Sequence, residues 1–78
     1  MNSHKVVVYS TLSCPYCHMA KDYLNGKGVE FVDYNVGENQ EKAQEMIQKS
    51  GQMGVPVIDI DGNILIGFQP NEFDRLLK

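Results

Sequence analysis

The pair of cysteines near the N-terminus constrains this chain more than any other feature. Cys14 and Cys17 are its only cysteines, they have the C-x-x-C spacing, and Pro15 follows the first of them directly. An apolar run at 6–9 precedes the motif, and a helical pattern follows it. A strand that leads into C-x-x-C and then into a helix is typical of thiol–disulfide chemistry.

Pro15 indicates different roles for the two cysteines. Proline is favoured at the first residue of a helix, where its missing N–H is not needed. Cys14 would then be the N-cap residue, and its sulfur would accept hydrogen bonds from the backbone N–H groups of Tyr16 and Cys17. These bonds and the helix dipole both favour the thiolate over the thiol. We therefore predict that Cys14 is the exposed nucleophile, and that Cys17, one turn further along the same face, resolves the mixed disulfide.

Other interpretations of the cysteine pair remain open at this point. Two buried structural cysteines are one, although such a pair has no use for a proline at a helix start. With His18 the motif also reads C-x-x-C-H, the attachment pattern of c-type haem, with Met46 or Met53 as distal ligand. The absence of a secretory signal and the preceding strand argue against haem. A zinc site that adds His18 and His4 to the cysteines lacks the second ligand pair of finger-like sites. We expect no bound cofactor or metal, and we expect His18 on the outer face of the helix.

Length and composition bound the class of protein. The 78 residues fit one domain, 1–78, near the lower limit for a self-sufficient core, and 42% of them are hydrophobic. The net charge is −3, the pI is about 5.1 and no basic cluster exists, so we expect no nucleic-acid or anionic-membrane partner. No apolar stretch approaches a membrane span. We expect a cytoplasmic monomer, since a reducing compartment favours a catalytic C-x-x-C pair over a structural one.

Periodicity and turn residues predict an α/β chain. The predicted elements, in order, are strand 5–9, loop 10–13, helix 15–25, strand 29–36, helix 39–50, strand 56–60, an Asp-Gly turn at 61–63, strand 64–66 and a last helix capped by Asn71. The first strand–helix–strand unit implies parallel strands. The order β-α-β-α-β-β-α gives a four-stranded mixed sheet flanked by helices.

Two further positions are candidates for contact with a substrate. If the Val55–Pro56 peptide is cis, the backbone of Val55 would turn outward and pair with a substrate strand beside Cys14. An ordinary strand-initiating proline is the equal alternative. Gly67 and Phe68 indicate either a close backbone approach or only a turn, and a turn is the default.

On these residues the chain resembles the glutaredoxins. The resemblance covers nearly the whole length and rests on C-P-Y-C at 14–17, followed by V-P at 55–56, a hairpin and a Gly-containing turn before a last helix. It implies the thioredoxin fold, a cis peptide before Pro56, Cys14 as nucleophile and Cys17 as resolving cysteine. It also implies a groove in which Tyr16 and the backbone of Val55 contact the substrate, with glutathione as a possible co-substrate.

The sequence departs from glutathione-using glutaredoxins at several positions. Thr11 stands where they usually carry the Lys or Arg that binds a glutathione carboxylate, and Gly54 replaces the Thr of their T-V-P. The stretch G-F-Q-P at 67–70 is instead similar to small redoxins that reduce ribonucleotide reductase and are recycled by thioredoxin reductase. The residues predicted to bind substrate or glutathione are Thr11, Pro15, Tyr16, Val55, Pro56, Gly67, Phe68 and Gln69.

The sequence therefore predicts a dithiol thiol–disulfide oxidoreductase, an electron carrier that reduces protein disulfides or glutathione mixed disulfides. Its electrons would come from glutathione or, in the alternative, from thioredoxin reductase, with ribonucleotide reductase or a similar protein as acceptor. A binding module is the interpretation from a different class. Some glutaredoxins hold an iron–sulfur cluster through the first cysteine and glutathione, but Pro15 and the altered glutathione site argue against this.

Overall fold

The computed structural model describes residues 4–77 and gives seven elements. They are β1 (Val6–Ser10), α1 (Pro15–Gly26), β2 (Val32–Asn35), α2 (Gln40–Ser50), β3 (Val57–Ile60), β4 (Asn63–Ile66) and α3 (Pro70–Leu76). This order is the predicted β-α-β-α-β-β-α, so the thioredoxin fold is confirmed. None of the helices within residues 4–77 is long and apolar enough to cross a membrane.

The four strands form one mixed sheet in the order β2-β1-β3-β4. β1 is parallel to β2, as predicted for the βαβ unit, whereas β3 is antiparallel to both β1 and β4. All five residues of β1 are buried, because this central strand has a neighbour on each side and helices on both faces. The chain leaves β1 directly into the cysteine motif, so the best-buried strand of the sheet positions Cys14.

Alternation along the strands divides the core between the two faces of the sheet. The face that packs against α1 and α3 contains Val6, Val8, Ala20, Leu24, Ile58, Ile60, Leu65 and Phe73. The face that packs against α2 contains Val7, Tyr9, Met46 and Val57. Leu76 and Leu77 are partly buried against the first cluster, which confirms the inward face predicted for the last helix.

α2 ends before Gly51 as predicted and begins one residue later than the predicted helix 39–50, because Asn39 is its N-cap residue. The Asn39 side chain accepts the backbone N–H of Lys42 at 3.1 Å, which satisfies one of the free donors of the first turn. Gly51 follows the helix with a φ of 76°, a left-handed conformation that glycine adopts without steric cost, and its N–H bonds the carbonyl of Ile47. The helix is therefore fixed at both ends by local chemistry.

Several predicted boundaries were wrong. α3 begins at Pro70 with Gln69 at the cap position and no side-chain cap bond, so Asn71 is not the cap. The reason is the rule that also applies to Pro15, since proline is favoured at the first helical residue. Ser10, predicted in a loop, is the last residue of β1 and pairs with Asn35. β2 begins only at Val32, because the N–H of Val29 is bonded to Leu24 at the end of α1.

Candidate active site

Cys14 occupies the predicted position at the start of α1. Its backbone is extended (φ −99°, ψ 107°), Pro15 is the first helical residue, and its sulfur accepts the backbone N–H of Cys17 at 3.2 Å. The carbonyl of Cys14 accepts the N–H of His18 at 3.2 Å, which is the first bond of the helix. The predicted bond from Tyr16 is not among those that the described residues form. Cys14 is half-buried, and its sulfur is placed where a helix N-terminus stabilises negative charge.

Cys17 lies one turn further on and is completely buried. The pKa of its thiol is raised to about 12, mainly by burial and in second place by the hydrogen bond with Cys14. The backbone N–H of Thr11 and the charge of Lys21 act in the opposite direction. The two cysteines are both free thiols. Cys14 is nearer to the surface than Cys17, although it is half-buried and not exposed as predicted.

The loop before β3 lies against the cysteine motif. The Val55–Pro56 peptide is cis, as the resemblance implied. The Cys14 thiol lies 3.8 Å from the carbonyl oxygen of Val55, to which it donates. Pro56 is buried, and its carbonyl accepts the N–H of Gly67 at 2.9 Å. The fold thus brings Cys14, Val55, Pro56 and Gly67 to one end of the sheet.

The side chains of Phe68 and Gln69 make contacts within the protein. The Phe68 ring packs edge-on against Tyr23 and Phe73, with centroids 5.7 and 5.8 Å away. The Gln69 amide donates to the carbonyl of Ile66 at 2.7 Å. Gly67 has a φ of 87°, which a residue with a side chain rarely adopts. A role of Phe68 and Gln69 in substrate binding stays a prediction.

Large apolar side chains are exposed within the cysteine motif and in the loops before Cys14 and before Pro56. Tyr16 is 62% exposed in the first turn of α1, Leu12 is 72% exposed in the loop before it, and Met53 is 78% exposed in the loop that leads to Pro56. Leu12 and Met53 were not among the predicted site residues. The sequence does carry a signal for them, because each is a large apolar residue in a predicted loop, one before Cys14 and the other before Pro56.

A shallow cavity of about 320 Å³ lies beside the motif between the loops that follow β1 and β2. Its lining consists of Thr11, Leu12, Ser13, Asn35, Gly37 and Glu38. Glu38 is the one charged side chain in this lining. Thr11, at the position that the resemblance links to a glutathione carboxylate, therefore lines this cavity together with the carboxylate of Glu38.

His18 lies on the exposed face of α1, as predicted, and its Nε2 atom is 2.9 Å from the carbonyl oxygen of Leu12. His4 is at the far end of β1, where it contacts Asp61. The structure therefore does not bring the two histidines together with the cysteines. Across residues 4–77, no group of three or more His, Cys, Asp and Glu side chains has an arrangement that could hold a metal ion.

The fold and the paired thiols at a helix start define a thiol–disulfide redoxin. A family model described as Glutaredoxin matches residues 6–65, so this chain belongs to the glutaredoxin family, whose members are thiol–disulfide oxidoreductases. A glutaredoxin-like 8.6 kDa protein in the rubredoxin operon of Clostridium pasteurianum, described as uncharacterized, is 47% identical over 73 residues, which are 94% of this chain and 97% of that protein. Glutaredoxin 3 of Escherichia coli K12 is 44% identical over 62 residues, 80% of this chain and 75% of that protein.

Among solved structures, the glutaredoxin-like protein NrdH-redoxin from Escherichia coli superimposes with a TM-score of 0.83 at 26% identity. The superposition covers 92% of this chain and 93% of that one. The chain is thus similar both to a named glutaredoxin and to a glutaredoxin-like redoxin.

Proposed function

We propose that the protein is a dithiol oxidoreductase that reduces disulfides in partner proteins. The Cys14 thiolate attacks a substrate disulfide, forms a mixed disulfide and releases the first substrate thiol. Cys17 then attacks the Cys14 sulfur, closes the Cys14–Cys17 disulfide and releases the second thiol. The observation that supports these roles is the bond from the Cys17 N–H to the Cys14 sulfur, which places a half-buried sulfur at the helix start and a fully buried one behind it.

A protein segment fits the surroundings of Cys14 better than a small charged disulfide does. Leu12, Tyr16 and Met53 offer exposed apolar surface on several sides of the motif. The backbone of Val55 lies directly beside the Cys14 sulfur, in the position for pairing with an extended substrate strand. Burial of apolar side chains together with backbone pairing supports extended polypeptide as the substrate class.

The source of electrons has two candidates. Glutathione is the first, and similarity to a named glutaredoxin supports it. Thioredoxin reductase is the second, and the cavity beside Cys14 supports it, since its lining has Thr11 in place of a cation and Glu38 as its charge. The NrdH-redoxin of Escherichia coli, a glutaredoxin-like protein described as having a thioredoxin-like activity profile, adds support to this second candidate. With thioredoxin reductase as the electron source, the acceptor would be ribonucleotide reductase or a similar protein.

A coupled assay distinguishes the two candidates. NADPH consumption is followed with a small disulfide substrate, in one reaction with glutathione and glutathione reductase and in a second with thioredoxin reductase alone. Turnover with glutathione would identify a glutathione-dependent member in which Thr11 is tolerated. Turnover only with thioredoxin reductase would identify a glutathione-independent redoxin. Turnover in neither reaction, or equal turnover by a Cys14→Ser variant, would contradict the proposed function.

We also propose that the protein acts as a monomer in the reducing cytoplasm without a bound cofactor. Pro15 directly follows Cys14, and its rigid ring leaves less room for a bridging cluster at the Cys14 sulfur. The test is the visible spectrum of protein that has been purified anaerobically. A colourless preparation supports the proposal, whereas a brown one with visible absorbance would support an iron–sulfur glutaredoxin, and a Soret band would support haem.

A further inference from the structure

A polar cluster lies on the α1-facing side of the sheet, and its lysine is one helical turn from Cys17. Ser10 at the end of β1 is only 2% exposed, and its hydroxyl donates to Asp33 of β2 at 2.7 Å. The ammonium group of Lys21 on α1 donates to Asp33 at 2.9 Å and to Ser10 at 3.4 Å. Three elements therefore hold one lysine in a fixed position.

The topology explains why this cluster and Cys17 lie on the same side of the sheet. Ser10 has the same parity along β1 as Val6 and Val8, which face α1, and Asp33 is the register partner of Val8. Lys21 is four residues after Cys17, so the two side chains lie on the same face of α1, one turn apart.

Several charged or titratable groups surround Cys17. Cys14 approaches from the loop before α1, Lys21 from α1 itself and Asp33 from β2, where it is bonded to Lys21. His18 is adjacent in sequence, but its ring contacts the Leu12 carbonyl on the exposed face. Among these groups, Lys21 is therefore the one cation that lies on the same face of α1 as the buried thiol of Cys17.

The second half of the dithiol cycle needs the Cys17 thiolate, which burial opposes. In the free dithiol, the neighbouring Cys14 also raises the Cys17 pKa. Once Cys14 is bound in a mixed disulfide, its sulfur carries no negative charge, and this part of the increase is lost. The favourable charge of Lys21 remains in this intermediate, in which Cys17 must react.

We propose that Lys21, oriented by Asp33 and Ser10, is a positioning residue that favours the Cys17 thiolate in the resolving step. This inference rests on the proposed dithiol cycle. In the step, Cys17 loses its proton to solvent and its sulfur bonds to the Cys14 sulfur as the bond between Cys14 and the substrate breaks. The Cys17 sulfur is oxidised from the thiol to the disulfide level, and the Cys14 sulfur stays at the disulfide level. The substrate sulfur is reduced from the disulfide to the thiol level and leaves as a thiolate that takes up a proton. Lys21 contacts neither reacting sulfur and acts only through its charge.

Stopped-flow reaction of the reduced full-length protein with Ellman's reagent, an aromatic disulfide with a coloured thiolate product, separates the two steps. The first equivalent of thiolate reports attack by Cys14, and its rate rises with reagent concentration. The second equivalent reports attack by Cys17 on the mixed disulfide, and its rate is independent of reagent concentration. A Cys17→Ser variant, which releases only the first equivalent, identifies the phases.

Lys21→Gln is expected to slow the second phase about three- to tenfold near neutral pH, and to move its rise with pH upward by about half to one unit. The first phase should change by less than about twofold. Lys21→Arg keeps the charge and should restore the second phase. Lys27→Gln is the matched control, because it removes the charge of a second lysine. Lys27 lies at the C-terminal end of α1, away from the cysteines, and pairs with Asp74 at 2.7 Å. The control variant should leave both phases unchanged.

The proposal is overturned if Lys21→Gln and Lys21→Arg behave alike, if both phases slow together, or if Lys27→Gln has the same effect as Lys21→Gln. Should Lys21→Gln fail to fold, Lys21→Met keeps the aliphatic part of the side chain and serves in its place, and the comparison of Lys21→Met with Lys21→Arg then tests for charge. If the parent protein itself shows no second equivalent, the proposed dithiol cycle fails, and this result is distinct from a failure of the role of Lys21.

Discussion

The Cys14 sulfur lies 3.8 Å from the carbonyl oxygen of Val55, although 41 positions separate the two residues in the chain. The contact follows from the pairing of β3 antiparallel to β1, which places the start of β3 beside the end of β1. Two loops that are distant in sequence therefore form one site at this end of the sheet. We therefore expect a substrate that approaches Cys14 to meet the backbone of Val55 as well.

The two cysteines should respond differently to substitution. Cys14→Ser is expected to abolish disulfide reduction, because the half-buried sulfur at the helix start is the proposed nucleophile. Cys17→Ser should still form a mixed disulfide at Cys14 but should not resolve it. Mass spectrometry of each variant after mixing with a protein disulfide measures the trapped adduct. An adduct on Cys14→Ser, carried by Cys17, would contradict the assignment.

Introduction of a lysine at position 11 should improve the use of glutathione. Thr11 lines the cavity beside the motif, and a cation there would pair with a glutathione carboxylate. We expect Thr11→Lys to raise kcat/KM for a glutathione mixed disulfide about five- to thirtyfold, which corresponds to about 1–2 kcal/mol. Thr11→Gln, which has a similar length without the charge, should give no such gain. An equal gain from both variants would show that charge is not the limiting factor.

The hydroxyl of Tyr9 should contribute to stability on the face opposite to α1. Tyr9 is fully buried, its hydroxyl donates to Glu45, and Lys49 donates to that hydroxyl at 2.9 Å. We expect Tyr9→Phe to lower the free energy of unfolding in urea by about 0.5–1.5 kcal/mol, because these bonds are lost and the partners must find water. Tyr16→Phe, at an exposed ring, is the control and should leave the unfolding midpoint unchanged. Equal stability of the parent and Tyr9→Phe would show that this network is energetically neutral.

Asp61 should make the stability depend on acid pH. Its carboxylate accepts the Lys5 N–H at 2.7 Å and contacts His4, and these contacts lower the pKa of Asp61 below its usual value. A carboxyl with a lowered pKa in the folded state stabilises the protein above its unfolded pKa, and this contribution is lost as the pH falls through the folded pKa. The parent should therefore lose stability from about pH 5 downward.

Asp61→Asn isolates this effect, since the turn at Asp61 has a φ of 52°, a conformation that asparagine also tolerates. The variant should be less stable than the parent at neutral pH, and the difference should shrink as the pH falls. Urea unfolding of both proteins at a series of pH values measures this difference in the free energy of unfolding. Asp22→Asn, on the exposed side of α1, is the control and should show a constant offset or none. A difference between Asp61→Asn and the parent that does not change with pH would contradict the prediction.

The sequence predicted the element order, the N-cap position of Cys14 and the position of Cys17 one helical turn further on. These features depend on local rules, namely the preference of proline for a helix start and the periodicity of apolar residues. The preference of proline for the first helical residue also accounts for the start of α3 at Pro70, so the wrong cap at Asn71 does not reflect tertiary packing. The start of β2 was not predictable in this way, since it depends on the bond between Val29 and Leu24 at the end of the preceding helix.

The sequence by itself determined the chemistry of this protein, because a proline between two cysteines at the end of an apolar strand prescribes a thiol at a helix start. Only the tertiary structure decided what surrounds those thiols. Val55 reaches Cys14 through the pairing of β1 with β3, and Asp33 reaches Lys21 through the register of β1 and β2. Register is set by side-chain packing across the whole sheet, so no single stretch of sequence specifies it.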